Sequence, residues 1–193
     1  MTEITSEAIA FAVAFQRFEY VLKRGGYVKI EGKGKPAFSP DRLGAFKARS
    51  IKLDHTRYIK EHLVKLQLYA RAMGLANDAY TYLFRNPPLQ HVIDDQGVVS
   101  FASFDQDYAG RTGSDPTFVD DEIDGVFEGL RTIRNNLFHG GKEMDDDRDP
   151  RNLLLLTHGL ELVKLAVGVN RGLCVAFNER PYRVIGTVPC LVQ

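Results

Sequence analysis

Cysteine is scarce in this chain of 193 residues: Cys174 and Cys190 are the only two, and their spacing is neither a CxxC pair nor a ladder. That scarcity excludes a secreted scaffold built on disulfides and predicts two free thiols in a reducing compartment, the cytoplasm. A long uncharged run is missing as well. The most apolar stretch, Leu153 to Val169, is interrupted by His158, Glu161 and Lys164, whereas a membrane span needs about 20 nearly uncharged residues. It reads as a buried helix, and no membrane partner is expected. The N-terminal MTEITSEAIAFAVAF carries Glu3 and Glu7 where an export signal carries Lys or Arg, so none is expected.

Neither charge is in excess. The net charge is zero, which argues against a protein that coats duplex nucleic acid through one large basic field. The distribution is uneven: residues 1–71 hold 14 Lys or Arg against 7 Asp or Glu, and residues 72–193 hold 11 against 18. A local basic face beside an acidic body follows, unless the halves neutralise each other on folding.

What is present is helical patterning in a chain of single-domain size, 1–193, in which roughly 70% of the unfolded surface can be buried. Ile9, Ala12, Val13, Phe15, Phe18, Val21 and Leu22 recur at spacings of three and four between Thr5 and Arg24, with Gly25-Gly26 as the stop. YVKIEGKGKPAFSPDR reads as a wet loop with room for a short hairpin, and Pro40 is placed to open a helix through Phe46. A long helix is predicted from Ile51 to Met73, ended by Gly74, and a shorter element from Ala76 to Phe84 before Asn86-Pro87-Pro88. HVIDDQGVVSF alternates around a turn, as a hairpin does, within an irregular excursion over 86–115. Asp115-Pro116 opens a helix with the core stripe Ile123, Val126, Phe127, Leu130, Ile133, Leu137 and Phe138, stopped by Gly140-Gly141. After the acidic loop EMDDDRDP a last helix is predicted from Pro150 to Val175, and the tail YRVIGTVPCLV has the β-branched character of an edge strand. The fold class is therefore all-α in the main, a bundle of four to five helices.

The segment with chemical content is RNNLFHGG. Arg134 and His139 are five residues apart, about 140° on an ideal helix, so an unbroken helix points them away from each other. A helix that ends near Phe138 and turns through a left-handed glycine swings the imidazole back toward Arg134. His139 then sits at a helix C-terminus, where the dipole favours the imidazolium, as suits a proton donor. Arg57 and His62 form a second R-x4-H pair. It falls inside a predicted helix, with no polar residue after the Arg and no terminating glycine, and reads as a solvated or core-edge pair.

The segment TIRNNLFHGGK resembles the HEPN family, the higher eukaryotic and prokaryotic nucleotide-binding domains, over about eleven residues. Members are helical bundles with a polar R-x4-6-H motif, and many are metal-independent ribonucleases of toxin, abortive-infection and other defence systems. The resemblance implies that Arg134 binds phosphate, Asn135 orients it and His139 is the catalytic histidine, in a homodimer whose two motifs meet at the interface. It implies RNA as partner, and an antitoxin or other regulatory protein as a second one. In one branch a tyrosine two residues after the histidine is nucleotidylated by a paired antitoxin. This chain has Gly141 there, which removes that target.

The implied chemistry is self-consistent without a metal or cofactor. RNA brings its own nucleophile, the 2′-hydroxyl, so cleavage needs a base for that proton, an acid for the leaving 5′-oxygen and positive charge on the phosphorane. Two copies of His139 supply base and acid, and Arg134 supplies planar paired donors. The other reading of the same residues is a noncatalytic RNA-binding, nucleotide-binding or interaction module. Structurally, Arg134 can also simply pair with an acid on a neighbouring helix, with His139 capping its own helix.

Other segments read more plainly. Asp145, Asp146, Asp147 and Asp149 lack the glycine and distal glutamate of a calcium loop, and form a solvated acidic loop with no metal site expected. GKGKP lacks phosphate-loop spacing, leaving Lys29, Lys33 and Lys35, with Lys142, as untargeted positive charge for RNA phosphates. Tyr80, Tyr82 and Phe84 are expected as core and strand-pairing residues, and His158 as a core histidine or a neighbour of the site.

Overall fold

Start and stop signals account for most elements of the computed structural model, which describes residues 5–31, 50–73, 75–86, 88–93, 96, 99–103, 120–138, 150–180 and 183–192. Helix α1, Ser6–Arg24, begins where the Thr5 hydroxyl accepts the Ala8 N–H at 3.3 Å. It ends in a left-handed turn. Gly26 sits at φ +81°, and the Gly26 and Tyr27 N–H groups close back on the Lys23 and Leu22 carbonyls. Strands β1, Val28–Glu31, and β2, Ser50–Leu53, pair antiparallel from Val28↔Leu53 to Glu31↔Ser50. The connection 32–49, including the helix expected from Pro40, lies outside the described residues.

Helix α2, His55–Met73, starts later than its hydrophobic period suggests. Ile51 and Leu53 belong to β2, and the Asp54 carboxylate caps the helix by accepting the Arg57 N–H at 3.1 Å. Helix α3, Leu75–Arg85, follows and carries Tyr80, Tyr82 and Phe84. Tyr80 is fully buried and Tyr82 packs against the core, so the expected strand pairing does not arise. The hairpin expected in the excursion is present as β3, Leu89–Ile93, against β4, Val99–Ser103.

Helix α4, Asp120–Phe138, buries Val126, Phe127, Leu130 and Ile133; its expected start at Asp115-Pro116 lies outside the described residues. Helix α5, Pro150–Gly168, has core contacts on nearly every side and packs most extensively on α1 and α3. The single helix expected to reach Val175 is in fact broken. Chain direction turns by 118° after Gly168, and α6, Arg171–Asn178, starts afresh with the Asn170 side chain accepting the Leu173 N–H. That break raises the count to six helices among the described residues. The fold is mostly helical, and no single described helix is long and apolar enough to cross a membrane.

The chain reverses again after α6, with a turn at 183–185 and Gly186 at φ +71°, and the tail returns across α6. No strand forms among its described residues, 183–192. Instead Asn178 grips both backbone groups of Val188, Leu191 N–H donates to the Gly168 carbonyl, and the Tyr69 hydroxyl donates to the Leu191 carbonyl. The two thiols expected to be free are joined: Cys174 and Cys190, sixteen residues apart, meet with Cα atoms at 5.6 Å. Spacing alone does not reveal such a pair, because it is the reversal of the chain after α6, with a turn at 183–185, Gly186 at φ +71° and the Asn178 clamp, that brings them together.

One position sets how closely the helices approach. A Cβ on Gly159 of α5 would stand 2.7 Å from the Phe11 ring of α1 and 3.3 Å from Leu130 of α4. Gly159→Ala therefore gains about 1 kcal/mol of helix propensity but forces overpacking worth about 1–3 kcal/mol against a fully buried ring. A net loss in urea unfolding is expected. Gly172→Ala, where the nearest atom is 3.5 Å away, is expected to gain about 0.4–1 kcal/mol; a loss there or a gain at Gly159 contradicts this account.

Candidate functional site

Arg134 and Asn135 occupy the last turns of α4, on the stretch that continues from the buried Leu130 and Ile133. The Arg134 guanidinium is half-buried. Its Nη1 donates to the neighbouring Asn135 Oδ1 at 2.8 Å, and its Nη2 donates to Glu19 Oε2 of α1 at 3.3 Å. Asn135 thus fixes one edge of the fork, and a carboxylate from another helix fixes the next. The Glu19 side chain is only 16% exposed, so this ion pair is less screened than one at the surface.

Glu19 was not singled out in the sequence, although a signal exists. It lies four residues after Phe15 and three before Leu22, inside an otherwise apolar stripe. A carboxylate there needs a partner, since a buried charge without one is costly. His139 and Lys142 lie outside the described residues, as do Lys33 and Lys35. Helix α4 is described as far as Phe138. Lys29 is exposed on β1.

The second R-x4-H pair has a structural occupation. Arg57 Nε donates to Glu61 at 2.8 Å one turn along α2 and lies over the Tyr27 ring. His62 stacks on Tyr58, with ring centroids 4.5 Å apart. Its tautomer follows from its neighbours: Asn170 Oδ1 caps α6, so Asn170 Nδ2 donates to His62 Nε2 at 3.0 Å, leaving Nδ1–H to donate to the Tyr58 carbonyl at 2.9 Å. This histidine braces the α5–α6 corner. Burial pushes the Tyr58 hydroxyl's pKa far upward, so it stays a donor, to the Ala166 carbonyl.

An open groove of about 670 Å³ runs between the end of α1 and α6, lined by Val21, Arg24, Tyr27, Arg171, Leu173 and Glu179 among others. It includes neither Arg134 nor Asn135. Across it Arg24 pairs with Glu179 at 2.6 Å. That pairing raises the arginine's pKa and lowers the glutamate's. No group of three or more His, Cys, Asp or Glu placed to hold a metal ion occurs among the described residues. No protein-family model, no curated protein and no solved structure matches this chain.

Two measurements probe this region. Arg134→Ala strips the half-buried Glu19 carboxylate of this partner and is expected to cost about 1–3 kcal/mol, more than Asn135→Ala; adding Glu19→Gln should recover part of that loss. Strict additivity in urea unfolding of the single and double variants contradicts the pairing. The His158 ring on α5 lies tilted against that of Tyr82, with centroids 4.6 Å apart. Burial pushes its pKa below the ordinary value, with Asp78 and Glu161 acting the other way. Protons then bind the unfolded chain first, so stability is complete above the ordinary histidine pKa and declines as pH falls through it toward the lower folded value. Between about pH 7.5 and about pH 5.5 the wild-type melting temperature is expected to fall more than that of His158→Gln; equal slopes reject burial as the cause.

Proposed function

We propose that this chain is a metal-independent endoribonuclease of the HEPN type, a cytoplasmic homodimer that serves as a toxin or phage-defence effector under an antitoxin or other regulatory protein. The observation that carries the reading is the guanidinium of Arg134, held by Asn135 at the end of α4, with His139-Gly140-Gly141 beginning five residues later in the sequence. In the proposed reaction Arg134 neutralises the scissile phosphate while one His139 removes the 2′-hydroxyl proton. The second copy's His139 protonates the leaving 5′-oxygen. The products are a 2′,3′-cyclic phosphate and a 5′-hydroxyl, which restricts the substrate to RNA. Lys29, Lys33, Lys35 and Lys142 add charge for the flanking phosphates.

A second reading has its own support. Glu19 already occupies one edge of the guanidinium, so a phosphate must displace or share it, and a module that binds RNA or a nucleotide without cleaving it demands less of that exchange. The purified chain with single-stranded RNA in excess EDTA separates the two. Cleavage that His139→Ala abolishes supports the nuclease. Binding that Arg134→Ala weakens, with no cleavage, supports the module, and activity that requires added Mg2+ or survives His139→Ala rejects the mechanism.

A further inference from the structure

The two sulfurs of the Cys174–Cys190 bond differ in environment. Cys190 belongs to an exposed position of the tail, whereas Cys174 is fully buried on α6. An incoming thiolate therefore meets Cys190. Burial works against a thiolate at Cys174, but Asn178 Nδ2, 3.5 Å from its sulfur, offsets it. An accessible sulfur to attack and a supported sulfur to leave are what thiol–disulfide exchange requires.

Asn178 links that chemistry to the tail. Its Nδ2 donates to the Val188 carbonyl at 2.8 Å, and its Oδ1 accepts the Val188 N–H at 3.0 Å. While Cys174 is a thiolate it competes for the same amide and weakens the clamp on Val188; once it is protonated, what the tail has lost is its covalent tie. Apart from the disulfide, the tail is tied by the Leu191 bond to Gly168 and the Tyr69 bond to Leu191, and it lies so close that a Cβ on Gly168 would meet the Pro189 carbonyl at 2.8 Å.

We propose that Cys174–Cys190 is a thiol–disulfide exchange site that locks residues 183–192 onto α5 and α6, with a dithiol reductant as its substrate. One thiolate of the dithiol attacks Cys190 Sγ and forms a mixed disulfide there, while Cys174 leaves as the thiolate and is protonated by solvent. The reductant's second thiolate attacks its own sulfur in that mixed disulfide, closes the reductant's disulfide and releases Cys190, which is protonated in turn. The protein gains two electrons and two protons, and the dithiol loses them. The tail is then held by its hydrogen bonds and by the burial of Ile185 and Val188, without a covalent tie, and exchanges with an open form.

The test uses the full oxidised chain. Brief native treatment with glutathione, an acid quench and peptide mass mapping should place the adduct on Cys190 and leave Cys174 open to alkylation; adducts mainly on Cys174 overturn the assignment. After reduction with dithiothreitol, the Val188 and Leu191 amides should exchange hydrogen at least about tenfold faster while the amides of Phe15 and Phe18 keep their protection. Cys190→Ser should reproduce that pattern without reductant. Unchanged exchange at Val188 and Leu191, loss of protection throughout α1, or a bond that dithiothreitol leaves intact in the folded protein each overturns the lock.

Discussion

Phe11 and Leu130 close on the bare backbone of Gly159, and the placement of α1, α4 and α5 depends on that contact. Helix α5 has little polar face to offer water, so other helices must surround it, and the missing side chain at Gly159 lets two of them approach at one level. Leu130 lies one turn before Arg134, and Phe11 lies two turns before Glu19. The packing that buries the apolar stripes therefore also brings a guanidinium on α4 to a carboxylate on α1. The polar pair at the candidate site is a consequence of how the core closes.

That origin explains why Arg134 admits two readings. A half-buried guanidinium needs anionic or carbonyl partners whatever its role, and Glu19 serves as one in the isolated chain. Arg57 satisfies the same need in a cheaper way, through an exposed carboxylate one turn along its own helix. The contrast lies in burial and in where the partner comes from. Arg57 can be exchanged with little effect on the fold, while Arg134 ties two helices together and holds its fork in one orientation, as phosphate recognition also requires.

Helices whose ends are marked by backbone chemistry were legible in the sequence. Gly25-Gly26 ends α1 because a positive φ is needed there, and the alternation around Asp94-Asp95-Gln96-Gly97 anticipated the β3–β4 hairpin. The helices carrying Arg134, Asn135 and His158 followed from their apolar periods. Glu19 did not, because an ion pair between helices depends on which faces meet, and one helix's pattern cannot say which. The start of α2 was misplaced for a similar reason: Ile51 and Leu53 fit a helical period and a strand's alternation alike, and pairing with β1 decides between them.

The C-terminal region escaped periodicity because two asparagines, rather than apolar spacing, determine its path. Val169-Asn170 contains neither glycine nor proline, and the apolar pattern runs through it without interruption. Asn170 nevertheless ends one helix and starts another, since its Oδ1 serves α6 while its Nδ2 serves His62. Asn178 does the same eight residues later, giving Oδ1 and Nδ2 to the two backbone groups of Val188. Each amide joins a helix end to a distant segment, a role that demands a donor and an acceptor on one short side chain. With the Asn178 clamp in place, the chain must carry Cys190 back over α6, and a disulfide that spacing gave no reason to expect becomes a matter of proximity.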